Sequence, residues 1–331
     1  RGLSEVLPKN IELEDVTIER LDESLDNLID KSATFELLAE GFEWSEGPVW
    51  MLDDNGYLLF TDVTANRIYR WDEDKGIRFW IQPSGYTGTS PDRGRQGMMG
   101  ANGLNINQAG QLLLCQHGDR RVALLASDNT FETVADRYKG KRFNSPNDLT
   151  VHSDGSIYFT DPPFGLRKQY SEKEYKLGYS GVFRIAPNGD VSLITKQFDR
   201  PNGVTLSPDE TILYVGNKNG NDAKIWAFPL KPNGQVGPGR LFFDTAPLID
   251  PERKFVLDGM KVDEHGNLWT TGPGGVLIIS PAGKHLGTIQ LPQTAANCCF
   301  GGPDGKQFFI TADSRLIRVN TKIQSSTWNR R

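Results

Sequence analysis

The sequence predicts an all-β fold, a six-bladed β-propeller of four-stranded antiparallel blades with a short N-terminal helical extension. Three observations carry this. One phrase (a loop, a short strand, a tight turn, a second strand ending in Thr-Asp or its like) recurs six times, most plainly over 143–161. Its leading residues, Glu46, Asn102, Asn147, Asn202, Asp258 and Asn297, lie 56, 45, 55, 56 and 39 residues apart, a period that with short strands signals a propeller. The distance from leading residue to turn glycine is eight residues in four copies and ten in the first; the Asn202 copy turns at Pro208-Asp209 without a glycine.

Taken in order, residues 1–33 form an extension. Leu21, Leu25, Leu28 and Ile29 have helical spacing and Asp22, Glu23 and Asp26 fill the other face, so one short amphipathic helix is expected outside the main body. The propeller spans 34–320. Residues 35–42 form a strand with no hairpin partner, and the last repeat supplies three strands, so 35–42 is expected to complete the last blade and close the ring, which removes free sheet edges. The blades are expected at 45–82, 101–136, 146–198, 201–244, 257–291 and 295–319, and residues 321–331 form a C-terminal tail. Turns such as Ser153-Asp154-Gly155 and Pro187-Asn188-Gly189 are tight for ordinary steric reasons. The long connections, 83–101, 161–180 and 244–257, all fall on one face of an up-and-down blade ring, and the six leading residues open onto that face at the axis. Elaborated loops on one rim of a rigid scaffold are where function usually resides.

Composition narrows the classes. The 331-residue chain has a net charge of −5, with no basic patch dense enough for nucleic acid and no apolar run of membrane-spanning length. Cys115, Cys298 and Cys299 give no disulfide framework and are expected to be small buried apolar residues. The chain opens on Arg1 rather than Met, and the expected compartment stays open between cytoplasm and periplasm. A monomer or a homodimer is expected.

The axial set contains two anionic residues and four carboxamides, all oxygen donors. That composition suits a hard divalent cation, Ca2+ first, with Mg2+, Mn2+ or Zn2+ as alternatives. Turn formation explains Asn and Asp before a strand; it does not explain Glu46, nor the recurrence at one register.

Glu46-Gly47-Pro48-Val49-Trp50, Asn144-Ser145-Pro146-Asn147-Asp148, Pro201-Asn202-Gly203 and Asp258-Gly259-Met260 resemble the motifs of the gluconolactonase / SMP-30 / regucalcin-like family. The stretches Cys115–Val122 and Thr160–Gly165 resemble its bacterial sugar-lactonase branch. The resemblance spans about residues 35–320. It implies one divalent ion held by Glu46, Asn147, Asn202 and Asp258, with Asp258 also the general base or, in a variant, the nucleophile. It implies hydrolysis of a small-molecule lactone of the glucono-1,5-lactone type, the metal polarising the carbonyl. Asn102 and Asn297 share the register without being usual ligands of the family and are expected to contact substrate or water. Some relatives carry an Arg where this chain has Ser145, so substrate contacts do not transfer wholesale.

His117 ends the second strand of blade two and points to the same rim, as a proton shuttle or as a hydrogen-bonded structural histidine beside Asp119. Asp62 and Asp161 occupy matching positions and either bind sugar hydroxyls or brace a loop through backbone N–H groups. Arg95, with Tyr86, Arg93 and Met98-Met99, lies in one long loop, and Phe164, Arg167 and Tyr170 in another; these are candidate substrate contacts. Two further readings stand beside the sugar lactonase: a related esterase, lactonase or organophosphate hydrolase, since C=O and P=O make similar demands, and a non-catalytic calcium-binding platform.

Overall fold

The computed structural model describes residues 7–88, 97–168, 170–171, 175–220, 222–232, 234–249, 251 and 257–328. The described residues form six antiparallel blade sheets, whose innermost strands touch in sequence order and close on the first, and one small two-stranded sheet, Arg137–Tyr138 with Lys141–Arg142. These inner strands are Ser45–Met51, Ala101–Ile106, Leu149–Val151, Pro201–Leu206, Met260–Val262 and Ala295–Gly301. In the last blade, Phe35–Glu40 pairs antiparallel with Arg315–Asn320, Phe35 against Val319 and Glu40 against Arg315. The ring is therefore joined by its two sequence ends, as the missing strand implies.

Each blade buries both faces. Strand side chains alternate, so one strand feeds two different inter-blade layers. The neighbours Cys298 and Cys299 show this: Cys298 packs with Trp269, Ile278 and Phe308 between blades five and six, while Cys299 packs with Trp50, Phe60 and Trp71 between blades six and one. All three cysteines are free and buried, and burial pushes the Cys298 thiol up to about 12. Aromatic pairs stiffen these layers: Trp50 stacks on Phe309 at 5.5 Å, and Trp269 meets Phe308 at 4.7 Å.

The extension holds the expected short helical element on the outside of the propeller, with two strands before it. The helical spacing of Leu21–Ile29 yields a single 3-10 turn, Glu23–Asn27, capped by the Asp22 carboxylate accepting from the Ser24 N–H at 2.9 Å. Leu25, Leu28 and Ile29 are buried against blades five and six, whereas Leu21 is exposed. A one-turn element suffices because three apolar residues, not a full helical face, meet the propeller. The residues before it form strands. Leu7–Leu13 adds outside Phe35–Glu40 on blade six, and Thr17–Arg20 adds outside His285–Gln290 on blade five. The extension thus covers the outer edges of two blades. The tail folds back, with the Ser326 N–H donating to Val262 O at 3.0 Å. Among the described residues, no helix is long and apolar enough to cross a membrane.

Candidate functional site

Local backbone geometry builds the axial site. In four blades the pairing between the first and second strands slips at the leading residue: Glu46/Val49, Ala101/Leu104, Pro201/Val204 and Ala295/Asn297. Such a bulge re-aims a side chain, here away from the ladder and toward the axis. The glycine after the leading residue permits close packing of neighbouring blades. Gly47 adopts φ +45°, and a Cβ there would stand 2.0 Å from the Asn102 carbonyl oxygen; at Gly203 it would stand 2.2 Å from that of Asp258. Amides at this register donate across blades, Gly103 N to Asn147 O at 2.7 Å and Gly259 N to Ala296 O at 2.8 Å.

The second strands pin the same carbonyls with threonine. Thr61 Oγ1 donates to Asn102 O at 3.0 Å, Thr160 Oγ1 to Asn202 O at 2.7 Å, and Thr311 Oγ1 to Asn297 O at 3.2 Å. The Thr-Asp that closes the second strand in two repeats thus divides its labour. Threonine fixes the axial backbone. The aspartates brace loops: Asp62 accepts from the Glu43 and Trp44 amides at 2.9 and 3.1 Å, and Asp161 accepts from the Asn144 and Ser145 amides at 2.8 Å each. Asp161 is fully buried, and its two oxygens make the loop-bracing contacts that were one of its two expected roles. Burial raises its carboxyl to about 7 against these hydrogen bonds.

The six leading residues converge, each at most 2% exposed. Asn297 Nδ2 donates to Glu46 Oε2 at 3.2 Å, and the Gly47 N–H donates to that same oxygen at 3.1 Å. Asp258 Oδ2 accepts from the Lys218 ammonium. Four buried oxygens, Asn102 Oδ1, Asn147 Oδ1, Asn202 Oδ1 and Asp258 Oδ1, have no hydrogen-bond partner among the described residues. Buried polar atoms are nearly always satisfied, so four unpaired oxygens at one register are an exception, and their chemistry fits a ligand that accepts oxygen donors. Among the described residues no three His, Cys, Asp or Glu side chains gather as a metal cluster; the donor set here is two carboxylates with carboxamides, which suits a hard ion.

Electrostatics agree. Burial, then the charge of Asp258, raises Glu46 to about 8. Burial also raises Asp258, against the Lys218 ammonium and the Asn202 amide, which hold it down. A third carboxylate, Asp148, is buried beside them, with its Oδ2 unpartnered, and burial raises it too. Lys218 offsets burial at Glu46 and Asp258, and Lys261 offsets it at Asp148.

His117 is fully buried at the same mouth. Its Nδ1 meets Met98 O at 3.2 Å and its Nε2 meets Asn147 Nδ2 at 3.4 Å. With the Nδ1 proton donated to the carbonyl, Nε2 accepts from the Asn147 amide. That assigns the Asn147 amide, leaving its Oδ1 free. The neighbouring Asp119 binds Thr87 and Arg121, the latter at 3.1 Å. Burial lowers the imidazole to about 4, so it is neutral at pH 7.

The long loops gather here. Gly118 packs on Tyr86 and Met99, and Gly165 on His117 and Ser145. Lys218, at the end of Ile212–Asn217, lies 5.8 Å from the Phe164 ring centroid. Tyr170 is on the surface, donating to Asp199 at 3.0 Å. Arg93 and Arg95 lie outside the described residues. A separate cavity of about 220 Å³, lined by Met51, Ile106, Val151, Lys261, Val262 and Phe300, opens between the inner strands on the tight-turn face; none of the six axial oxygen donors lines it.

Lys218, Asp148 and the threonines were not anticipated as site residues. Thr61 and Thr160 had a signal, their recurrence before the second-strand aspartate. Lys218 had none, because it stands in one repeat alone.

Fold and site together define a six-bladed propeller with a buried oxygen-donor cluster at one mouth of its axis. The chain belongs to the SMP-30/gluconolactonase family: residues 44–314 match the SMP-30/Gluconolactonase/LRE-like region. It is 39% identical over 309 residues to a gluconolactonase of Zymomonas mobilis, covering 92% of this chain and 86% of that one. It is 26% identical over 280 residues to regucalcin of Xenopus laevis, covering 83% and 85%. A solved gluconolactonase from Xanthomonas campestris superposes with a TM-score of 0.79 at 29% identity, covering 97% of this chain and 98% of that one.

Proposed function

We propose that the chain is a lactone hydrolase that opens a sugar lactone of the glucono-1,5-lactone type to the aldonic acid at the axial site. The observation that carries the reading is the set of four unpaired buried oxygens, on Asn102, Asn147, Asn202 and Asp258, beside the two carboxylates Glu46 and Asp258. The identity to the Zymomonas gluconolactonase supports the substrate class.

Glu46, Asn147, Asn202 and Asp258 are the residues that would hold a divalent cation, Ca2+ first, with the Asn102 oxygen beside them. Such an ion supplies Lewis-acid polarisation of a carbonyl oxygen. The chain's own groups do the rest. Asp258, besides offering an oxygen to the cation, serves through its carboxylate as the base that takes a proton from water. The alternative in which it attacks the lactone directly uses the same carboxylate. His117 is a positioning residue rather than a proton shuttle: it is neutral, and its acceptor nitrogen is engaged by Asn147. Asn297 positions Glu46. The loops carrying Tyr86, Met99 and Phe164 flank the mouth and limit water.

Proton release during hydrolysis of glucono-1,5-lactone tests the reading. The assay uses chelator-stripped protein with Ca2+, Mg2+ or Mn2+ restored, and Asp258→Asn as control. The expected result is a rate well above spontaneous opening that requires cation and is lost in Asp258→Asn. Cation binding with no rate on any aldonolactone would discard the sugar substrate and turn the search to aryl esters and organophosphates. A rate that survives in Asp258→Asn would discard the assigned base.

A further inference from the structure

We infer that Lys218 is a built-in counter-cation for the axial site: its ammonium balances Asp258 when no divalent ion is bound and swings toward Phe164 when one binds. The inference rests on the divalent-cation reading of the site. It adds an internal competitor, carried by one side chain, that sets how tightly the ion is held.

Three observations support it. The first is charge. Glu46, Asp148 and Asp258 are each at most 2% exposed, and unpaired carboxylates cannot stay buried without compensation. The Lys218 ammonium is ion-paired with Asp258. The second is reach. The Lys218 side chain is 23% exposed against 2% for Asp258, so a flexible four-carbon stem reaches down from the rim to a buried carboxylate. The Phe164 ring centroid lies 5.8 Å from Nζ while the pair is made, so this ring is at hand to receive the ammonium by cation–π attraction when the pair breaks. The third is position. The residues that follow the second strands of the six blades are Val63, His117, Pro162, Lys218, Pro273 and Asp313. Lysine stands at this exit once, in the blade that precedes Asp258. His117, at the matching exit of blade two, also reaches an axial residue. These exits are thus used to address the ring, and Lys218 addresses its charge.

The energetic logic is direct. An ammonium and a divalent cation on one carboxylate repel, steeply where water is scarce. Binding the ion therefore requires breaking the Lys218–Asp258 pair, and the observed affinity is the intrinsic affinity reduced by that step. A chain lacking the lysine charge binds the ion more tightly but stands less stable empty.

Calorimetric titration of Ca2+ into chelator-stripped wild type, Lys218→Gln and Lys218→Arg, with melting temperatures of the empty and loaded forms, tests this. The expectation is about tenfold tighter binding in Lys218→Gln. Its empty form melts lower and its loaded form near wild type, so Ca2+ raises its melting temperature by more. Lys218→Arg keeps the charge and stays close to wild type in affinity. Equal or weaker binding by Lys218→Gln would overturn the inference while leaving the cation site intact. Absence of binding in the wild type with Ca2+, Mg2+ and Mn2+ would instead overturn the site reading itself. Should Lys218→Gln fail to fold even with Ca2+, Phe164→Leu decides: it removes the receiving ring, and a several-fold loss of Ca2+ affinity is expected, whereas wild-type affinity would overturn the displacement.

Discussion

Replacing His117 by Gln is expected to change the acid sensitivity of the protein in a definite direction. The imidazole lies at about 4 in the folded chain against an ordinary 6.5, because burial opposes its charge. The unfolded chain therefore takes up a proton below about 6.5 that the folded chain refuses until about 4. Proton uptake by the unfolded state costs stability as pH falls. Over that window the loss is roughly 3 kcal/mol at about 1.4 kcal/mol per tenfold. Gln has no such proton. Its side-chain oxygen can still accept from the Asn147 amide, so the axial arrangement persists. Urea unfolding of both proteins at a series of pH values between 7 and 4, with chelator present, reads the difference. Glu46 and Asp161 titrate in both proteins and cancel. Wild type is expected to lose roughly 3 kcal/mol more than His117→Gln between pH 7 and 4. Parallel curves would refute the placement of a neutral buried imidazole against Asn147. His117→Leu completes the set. It leaves the Asn147 amide unpaired, at roughly 1–3 kcal/mol, and frees it to turn its nitrogen to the axis. Cation affinity should fall in Leu and survive in Gln.

Three further outcomes follow from the same geometry. Glu46 lies at about 8 without a cation, above its ordinary 4.5, so the empty protein loses stability as pH rises from about 4.5 through about 8. Adding Ca2+ at pH 7 should release close to one proton and the release should vanish above pH 9, as calorimetry in buffers of different ionisation enthalpy would show. Gly47→Ala forces a Cβ to 2.0 Å from Asn102 O at φ +45°; a loss of at least about 2 kcal/mol is expected in chemical denaturation, with weaker cation binding, and a neutral result would remove the close blade contact. Thr160→Val strips the hydroxyl that donates to Asn202 O at 2.7 Å and accepts from the Asp148 amide at 3.2 Å. A cost of roughly 1–3 kcal/mol is expected by thermal melting, together with a cation affinity reduced several-fold because Asn202 loses its anchor.

What could be seen in the sequence, and what could not, follows from how each feature is encoded. The blades were legible because each is a repeat, and the ring's closure was legible because one strand lacked a hairpin partner. The axial residues were legible because six blades place the same position at the same register; the bulges at Glu46 and Asn297 then turn that register inward. In the extension the short helical element was legible and the two strands before it were not. Leu21, Leu25, Leu28 and Ile29 satisfy helical spacing, yet the neighbouring residues 7–20 gain more by pairing with the open edges of blades five and six than by extending a helix. Edge pairing is a property of the assembled sheet, and no local window contains it.

The roles within the site divide along the same line. Asp161 and Asn147 belong to one repeat and are both buried acceptors by residue type, but they do opposite work. Asp161 spends its oxygens on the amides of Asn144 and Ser145, and Asn147 keeps its oxygen free because His117, from another blade, takes its amide. Which oxygen is spent is decided by neighbours that sit 16 and 30 residues away in the chain. Repetition therefore locates the ring of donors, while the residues that break the repetition, His117 and Lys218, decide how those donors are oriented and charged.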